Sequence, residues 1–265
     1  MLTDTHNHTC HFSPDAKMTI DELIDAARAR HIDVVGITEH YEYDNPDPND
    51  NIQTFDIDEY VKTFDDWKKR SSDAPLLLMG IEFGYQTHTA KVIDEIAAKY
   101  PFDTVLLSKH LFRGVDVCFS EETKRMPRKE RNAEYIQGMA EMVENVDNFC
   151  VASHFDYICK YDGPNSRILY EDCPREFDRL FEALIYKEKA LEINTATSVK
   201  NGTMPDPEII KRYLQMRGRL LTLSSDAHVK ERLGDAITDF TLWLKSLGVE
   251  EICYFKDKKP NLIEA

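Results

Sequence analysis

The sequence lacks the features that would direct a protein to nucleic acid, to a membrane or to an oxidising compartment. It has no long basic run and a formal net charge of −15, so its surface repels nucleic acid and anionic lipid. No apolar stretch is long enough to span a bilayer, and the N-terminus has no signal-peptide pattern. The six cysteines are scattered without a C-x-x-C pair. We therefore expect a soluble cytoplasmic protein with free thiols and with no nucleic-acid or membrane partner.

What the sequence does contain is a regular alternation of short apolar runs with longer helical patterns. Strands are predicted at residues 2–5, 34–38, 76–83, 104–108, 149–153, 191–194 and 220–224, with a further candidate at 251–255. Helices are predicted at 19–30, 57–71, 89–99, 128–146, 174–187, 205–216 and 233–247, and irregular loops at 43–54 and 111–127. Seven such units in a 265-residue chain predict a single α/β domain over residues 1–265 with a parallel sheet. A barrel is favoured over an open doubly wound sheet, because no Gly-rich phosphate or dinucleotide loop follows an early strand.

Histidines and carboxylates follow the predicted strands at the points where the strands end. Six of the nine histidines occupy these places. The strand-end residues are His6, His8, His40, Glu82, His110, His154, Asn194, Asp226 and His228. Because the C-terminal ends of parallel strands meet on one face of the fold, we expect these side chains to converge. Imidazole and carboxylate are ligands for Zn, Mn and Fe, and a carboxylate such as Glu82 can bridge two ions.

Each of these residues also has a structural interpretation when it is taken alone. A histidine at a strand end often makes only a hydrogen bond, and Glu82 could pair with a lysine. Lys109, beside His110, could be a strand-end charge or could meet an anion. It is the joint placement at the ends of successive strands that favours a metal site.

The strand-end motifs resemble those of the PHP family, which is named for polymerase and histidinol phosphatase. The motifs are Asp4-Thr-His6-Asn-His8, Thr38-Glu39-His40, Gly80-Ile-Glu82, Ser108-Lys-His110, Ser153-His154-Phe-Asp156 and Ser225-Asp226-Ala-His228. They span nearly the whole chain in the family's order. A chain of this length resembles the histidinol-phosphate phosphatase branch of the family.

The resemblance implies a distorted (β/α)7 TIM-like barrel that holds two to three divalent ions, which could be Zn, Mn or Fe. By motif position, the first ion would take His6, His8, Glu82 and Asp226; the second would take Glu82, His110 and His154; the third would take Asp15, His40 and His228. Asp15, read without the resemblance, is an ordinary turn aspartate. The expected reaction is hydrolysis of a small phosphorylated metabolite, L-histidinol phosphate, to L-histidinol and phosphate.

Candidate substrate and catalytic residues follow from the same comparison. Lys109, Lys160, Asn194 and Lys200 are the predicted substrate-binding residues, and Asp226 and His228 the predicted catalytic ones. Arginines often found near the phosphate in this branch are replaced here by Cys159-Lys160 and by the segment that ends in Val199-Lys200, and lysine lacks the two-pronged guanidinium fork. Arg113 or Arg167 could substitute for them.

Other functions stay open at this point. They are hydrolysis of a phosphodiester or a cyclic amide, a phosphotyrosine-protein phosphatase, and a non-catalytic metal-binding protein. The sequence does not indicate the oligomeric state.

Overall fold

A parallel sheet that curls into a nearly closed barrel organises the computed structural model, which describes residues 1–71 and 75–265. The strands are β1 (Thr3–Asp4), β2 (Val34–Tyr41), β3 (Leu76–Gly84), β4 (Thr104–Ser108), β5 (Leu111–Phe112), β6 (Val115–Asp116), β7 (Val151–Ala152), β8 (Ala190–Asn194), β9 (Leu221–Ser224), β10 (Glu251–Lys256) and β11 (Lys259–Glu264). Seven of them form the sheet, in the order β1-β2-β3-β4-β7-β8-β9. A parallel bridge between Asn7 and Ala227 joins the segments that follow β1 and β9. The predicted barrel is confirmed, and the open sheet is excluded because its two edges meet.

Helices connect the strands. They are α1 (Ile20–Ala29), α2 (Ile57–Arg70), α3 (Ala90–Lys99), α4 (Glu121–Arg125), α5 (Arg128–Asn145), α6 (Pro174–Tyr186), α7 (Thr195–Asn201), α8 (Pro207–Gln215) and α9 (Ile237–Ser246), with short 3-10 turns at Thr87–Thr89, Tyr157–Cys159, Tyr170–Asp172 and Lys230–Arg232. Thr19 and Glu22 form the predicted capping box at the start of α1. Within residues 1–71 and 75–265, none of the helices has the length and apolar character that a bilayer crossing requires.

Three parts of the chain differ from the sequence prediction. The segment 111–127, predicted to be irregular, contains the β5–β6 hairpin and α4. Helix α7 begins directly after β8, because the Asn194 side chain caps it by accepting a hydrogen bond from the Ala196 amide. The additional strand near residue 251 exists, but it pairs antiparallel with β11 outside the barrel. The loop at 43–54 contains no helix or strand, as predicted.

The buried strands set the position of the functional residues. All eight residues of β2 are buried, which is typical of a parallel strand covered on both faces. The Tyr60 hydroxyl of α2 lies 3.0 Å from the carbonyl oxygens of both Ile37 and Gly80, which share its one proton, and so fastens that helix to β2 and β3. In the sheet register His40 lies beside Glu82. Two predicted ligands therefore meet through strand pairing alone.

Candidate metal centre and substrate cleft

The fully buried carboxylate of Glu82, near the end of β3, lies at the centre of the histidine cluster. One carboxylate oxygen, Oε2, lies 3.2 Å from Nε2 of His6, 3.5 Å from Nε2 of His8 and 2.7 Å from Nδ1 of His40. The other, Oε1, lies 3.1 Å from Nε2 of His110 and 2.9 Å from Nε2 of His154. The five histidines come from the ends of four strands, β1, β2, β4 and β7, or from the segments after them. One carboxylate thus faces donors on both sides, as a bridging ligand would.

The remaining predicted ligands lie at the edge of the same cluster. Asp15 Oδ2 lies 2.9 Å from Nε2 of His228 and 3.6 Å from Nε2 of His40. Asp226 Oδ1 lies 3.4 Å from Nε2 of His8. The backbone of Asp226 is in the left-handed region, with φ of 52°, a conformation that costs a non-glycine residue about 1–3 kcal/mol. The structure therefore brings all nine predicted metal ligands together, and their roles as ligands stay a prediction.

The donor atoms of this cluster fit a set of divalent ions. Nε2 of His6, Nε2 of His8, Nδ1 of His40 and Oε2 of Glu82 are buried, and although some of these atoms lie close together, none makes a hydrogen bond of acceptable geometry. Buried polar atoms almost always have a partner, so several orphaned atoms in one place indicate a missing one. Ligand atoms lie within 4.8 Å of one another in the sets His6–His8–Glu82, Glu82–His110–His154, His8–His40–His228 and His40–Glu42–His110. The first two sets match the first two predicted ions, apart from Asp226.

A second layer of carboxylates, which the sequence interpretation missed, orients the histidine rings. Glu192 Oε1 lies 2.8 Å from Nδ1 of His6, and Glu42 Oε1 lies 2.6 Å from Nδ1 of His110. A carboxylate on one ring nitrogen turns the other towards a metal and makes it more basic. The sequence holds one signal for Glu192: it is a charged residue within the apolar run of β8, where only a specific partner makes burial affordable.

The electrostatic balance keeps the central acids ionised. Burial would raise the pKa of Glu82, but His6 and His110 hold it well below its usual range. Burial would likewise raise the pKa of Asp226, but Lys160 and His6 hold it well below its usual range. Burial opposes the charge on the Lys160 ammonium, yet Asp226, 3.1 Å away, raises the pKa of that lysine. The acids are thus in the charged form that metal binding requires.

Lys160 and Lys200 are the two predicted substrate-binding residues that lie at or near the cleft above the cluster. Lys160 lines the cleft directly. Lys200 is exposed on α7, with its Nζ 3.8 Å from the centre of the Tyr161 ring, which also lines the cleft.

The other two predicted substrate-binding residues have structural surroundings instead. The Lys109 side chain packs against Gly138 of α5, because neighbouring side chains of an extended chain point to opposite faces and His110 points inwards. The Asn194 side chain caps α7 and donates to Glu192 Oε2 at 3.2 Å. Neither lines the cleft.

The two arginines considered as substitutes are also engaged elsewhere. Arg113 pairs with Glu122 and Glu134, at 2.8 Å and 2.6 Å. Arg167 donates to the Met204 carbonyl at 3.2 Å. Lys160 is therefore the one described lysine or arginine that lines this cleft.

The cleft has a volume of about 250 Å³. The cluster forms one end of it, and residues of the loop at 42–56, of β6 and of the turn after β7 form the walls. The wall residues are Asp50, Ile52, Asp116, Tyr157, Lys160 and Tyr161. This space suits a small molecule that reaches the cluster with one end.

The chain is similar to known proteins in both sequence and structure. The model of the PHP domain family matches residues 4–196. A probable histidinol-phosphatase from Clostridium acetobutylicum is 32% identical over 239 residues, which cover 88% of this chain and 89% of that protein. A probable histidinol-phosphatase from Thermotoga maritima is 29% identical over 253 residues, or 94% of each chain. The crystal structure of histidinol phosphate phosphatase from Lactococcus lactis, in complex with zinc, L-histidinol and phosphate, has a TM-score of 0.85 at 24% identity and covers 98% of each chain.

Proposed function

The chain belongs to the PHP domain family, and we propose that it is a metal-dependent phosphatase that hydrolyses L-histidinol phosphate to L-histidinol and phosphate. The relatives from Clostridium acetobutylicum and Thermotoga maritima, both named as probable histidinol-phosphatases, support this substrate. The zinc of the Lactococcus lactis complex supports zinc as a metal for this chain. The donor set also suits Mn and Fe, and we propose two to three ions.

The observation that carries the proposal is the position of Glu82 between two sets of imidazoles. His6 and His8 approach one carboxylate oxygen, and His110 and His154 approach the other. Two ions held on either side of one carboxylate suit an in-line displacement at phosphorus, in which the attacking and the leaving oxygen both need charge stabilisation. When bound, such ions would supply an activated water and neutralise the phosphoryl oxygens.

The chain's own residues position the reactants. Lys160, as a charged ammonium in the cleft, is suited to contact a phosphoryl oxygen as a point charge. Glu192 and Glu42 keep the Nε2 atoms of His6 and His110 facing Glu82. We assign substrate contact to Lys160 and a weaker long-range attraction to Lys200.

Asp226 and His228 are the proposed proton-transfer residues. Asp226 lines the cleft beside the cluster, so its Oδ1 is placed to accept a proton from the attacking water. Nδ1 of His228 lies 3.0 Å from the Asp226 carbonyl oxygen, so its Nε2 faces the cleft side. We propose that a protonated His228 gives its Nε2 proton to the leaving alkoxide when two ions are bound. With three ions, Nε2 would hold the third ion instead, and the charge of that ion would stabilise the alkoxide.

Replacement of Glu82 by alanine tests the proposal. We expect Glu82→Ala to lose metal from both sets and to show no turnover of L-histidinol phosphate in Mn or Zn. Metal content by mass spectrometry and phosphate release are the measurements, with Glu95→Ala on the exposed face of α3 as the matched control. A metal-free Glu82→Ala protein with wild-type turnover would refute the metal-dependent mechanism.

A substrate panel separates the alternatives. L-histidinol phosphate, a phosphotyrosine peptide, a phosphodiester and a lactam are compared at equal concentration. We expect kcat/KM to be highest for L-histidinol phosphate. A higher kcat/KM for any of the other three substrates would assign the protein to the class of hydrolase that acts on that substrate.

A further inference from the structure

The cleft has two ends of different chemistry. At the inner end the fully buried carboxylate of Glu82 faces the histidines of the cluster, and this end would hold a phosphoryl group through metal ions. Two further carboxylates, Asp116 of β6 and Asp50 of the loop at 42–56, line the cleft and belong to none of the candidate metal sets. The metal chemistry therefore leaves these two acids unexplained.

Asp116 is the more buried of the two, at 6% exposure. Its Oδ1 accepts a hydrogen bond from the Cys118 amide at 2.6 Å, and the Tyr157 hydroxyl lies 3.3 Å from both carboxylate oxygens. These donors are neutral, and no lysine, arginine or histidine in the described part of the chain forms an ion pair with Asp116 or Asp50. Burial and, to a smaller extent, Asp50 raise the pKa of Asp116, whereas the charge of His110, which makes no ion pair with it, and the Cys118 amide lower it. A buried carboxylate without a cationic partner is costly, and a cation from outside would relieve that cost.

Two separate segments hold this pair of acids in place. The Asp116 amide donates to Asp47 Oδ2 at 2.9 Å, which ties β6 to the loop at 42–56. On that loop Asp50 accepts hydrogen bonds from the Ile52 amide at 2.9 Å and from the Asn45 side chain at 2.8 Å. The pair is thus preorganised on the wall of a cleft whose other end is suited to phosphate, which is the arrangement a ligand with opposite charges at its two ends requires.

We propose that Asp116, assisted by Asp50, binds the cationic ammonium group of the substrate's alcohol part. This inference rests on the proposed phosphatase function and assigns the residues that recognise the amino group of its substrate. Asp116 is then a specificity-determining residue: it selects the substrate through a charge-assisted hydrogen bond and takes no part in the displacement at phosphorus.

The test compares two substrates that differ in the ammonium group alone. L-histidinol phosphate carries this group, and 3-(imidazol-4-yl)propyl phosphate lacks it. At about pH 8 the imidazole is largely neutral in both. We expect wild-type kcat/KM to favour L-histidinol phosphate, and Asp116→Asn to reduce that preference by about 10- to 100-fold. Asparagine keeps the acceptor for Cys118 and Tyr157. Asp44→Asn, an equal charge change at an exposed position of the same loop, should leave the preference as it is.

Calorimetric binding of L-histidinol separates this inference from the proposed function, because it needs no turnover. We expect the metal-loaded protein to bind L-histidinol, and Asp116→Asn and Asp50→Asn to weaken that binding more than Asp44→Asn does. Such a pattern would support the cation site even if no phosphomonoester were hydrolysed, and the proposed function alone would then fail. Equal kcat/KM of the wild type for the two substrates, or equal losses for both in Asp116→Asn, would overturn the assignment.

Discussion

Glu192 offers a strong test of how the second layer of carboxylates supports the site. It is fully buried on β8 and accepts four hydrogen bonds. Its Oε1 lies 2.8 Å from Nδ1 of His6 and 2.7 Å from the Ser224 hydroxyl, and its Oε2 lies 2.8 Å from the His154 amide and 3.2 Å from the Asn194 side-chain amide. Glu192→Ala would leave all four donors without their acceptor.

The expected cost of Glu192→Ala is about 3–5 kcal/mol of unfolding free energy, the usual range when one partner of a buried charged network is removed. His6 holds the pKa of Glu192 below its ordinary value although burial raises it. This depressed pKa means that the contribution is present at neutral pH and is lost as the pH falls through the folded-state value. The difference between wild type and variant should therefore shrink on acidification. Metal affinity should fall by about 10- to 100-fold, because His6 loses its orienting partner.

Urea unfolding at neutral and acidic pH, in chelator, measures the first effect, and competition with a chromogenic zinc chelator measures the second. Glu192→Gln preserves shape and should lose less than the alanine variant. Glu182→Ala, on the exposed side of α6, is the matched control and should change the unfolding free energy by no more than about 0.5 kcal/mol. If Glu192→Ala were as stable as this control and bound zinc as the wild type does, the supporting role of Glu192 would be refuted.

Three further predictions concern the bound metal, the close packing of Gly84 against Glu42, and the hydrophobic core. Removal of bound metal with a chelator should lower Tm, and excess zinc should restore it, because an ion that binds only the folded state stabilises it; an unchanged Tm would count against a metal site in the folded protein. Gly84→Ala should cost about 1–3 kcal/mol in urea unfolding, because a methyl group there would overlap the Glu42 carboxylate that orients His110; full stability would contradict this packing. Leu180→Ala, at a fully buried position of α6, should lower the free energy of unfolding by about 2–5 kcal/mol. Leu242→Ala, at a position that is 61% exposed, should lower it far less. Equal losses in the two variants would contradict the assigned core.

Much of the barrel could be predicted from the sequence because the signals are local. Nearly continuous apolar runs such as the one around Val34 predict strands covered on both faces, and the Thr19–Glu22 capping box predicts the start of α1. The sequence does not predict the β5–β6 hairpin or α4, because two-residue strands and a five-residue helix are too short to show a period of apolar residues. Helix α7 was missed for another reason: the polar strand-end residue Asn194 was interpreted as a substrate contact, although asparagine is also a strong helix cap.

The sequence also indicated which candidate ligands should meet, because strand ends on a parallel sheet share one face. The sequence was less informative about the direction in which each side chain points. Lys109 follows Ser108 and precedes His110, and the alternation of an extended chain turns its side chain towards α5 while His110 faces Glu82. A residue beside a ligand is therefore a poor candidate for a second contact in the same site.

By itself the sequence determined the chemical types of the site, their order along the chain and the alternation of strands and helices, because these depend on residue identity and short-range periodicity. The tertiary structure decided which ring nitrogens face inwards and which acids meet. Glu192 orients His6 across 186 positions of sequence. Asp50 and Asp116 line the same cleft because Asp47, in the loop of Asp50, accepts a hydrogen bond from the Asp116 amide. Contacts of this kind depend on chain closure, and no local pattern encodes them.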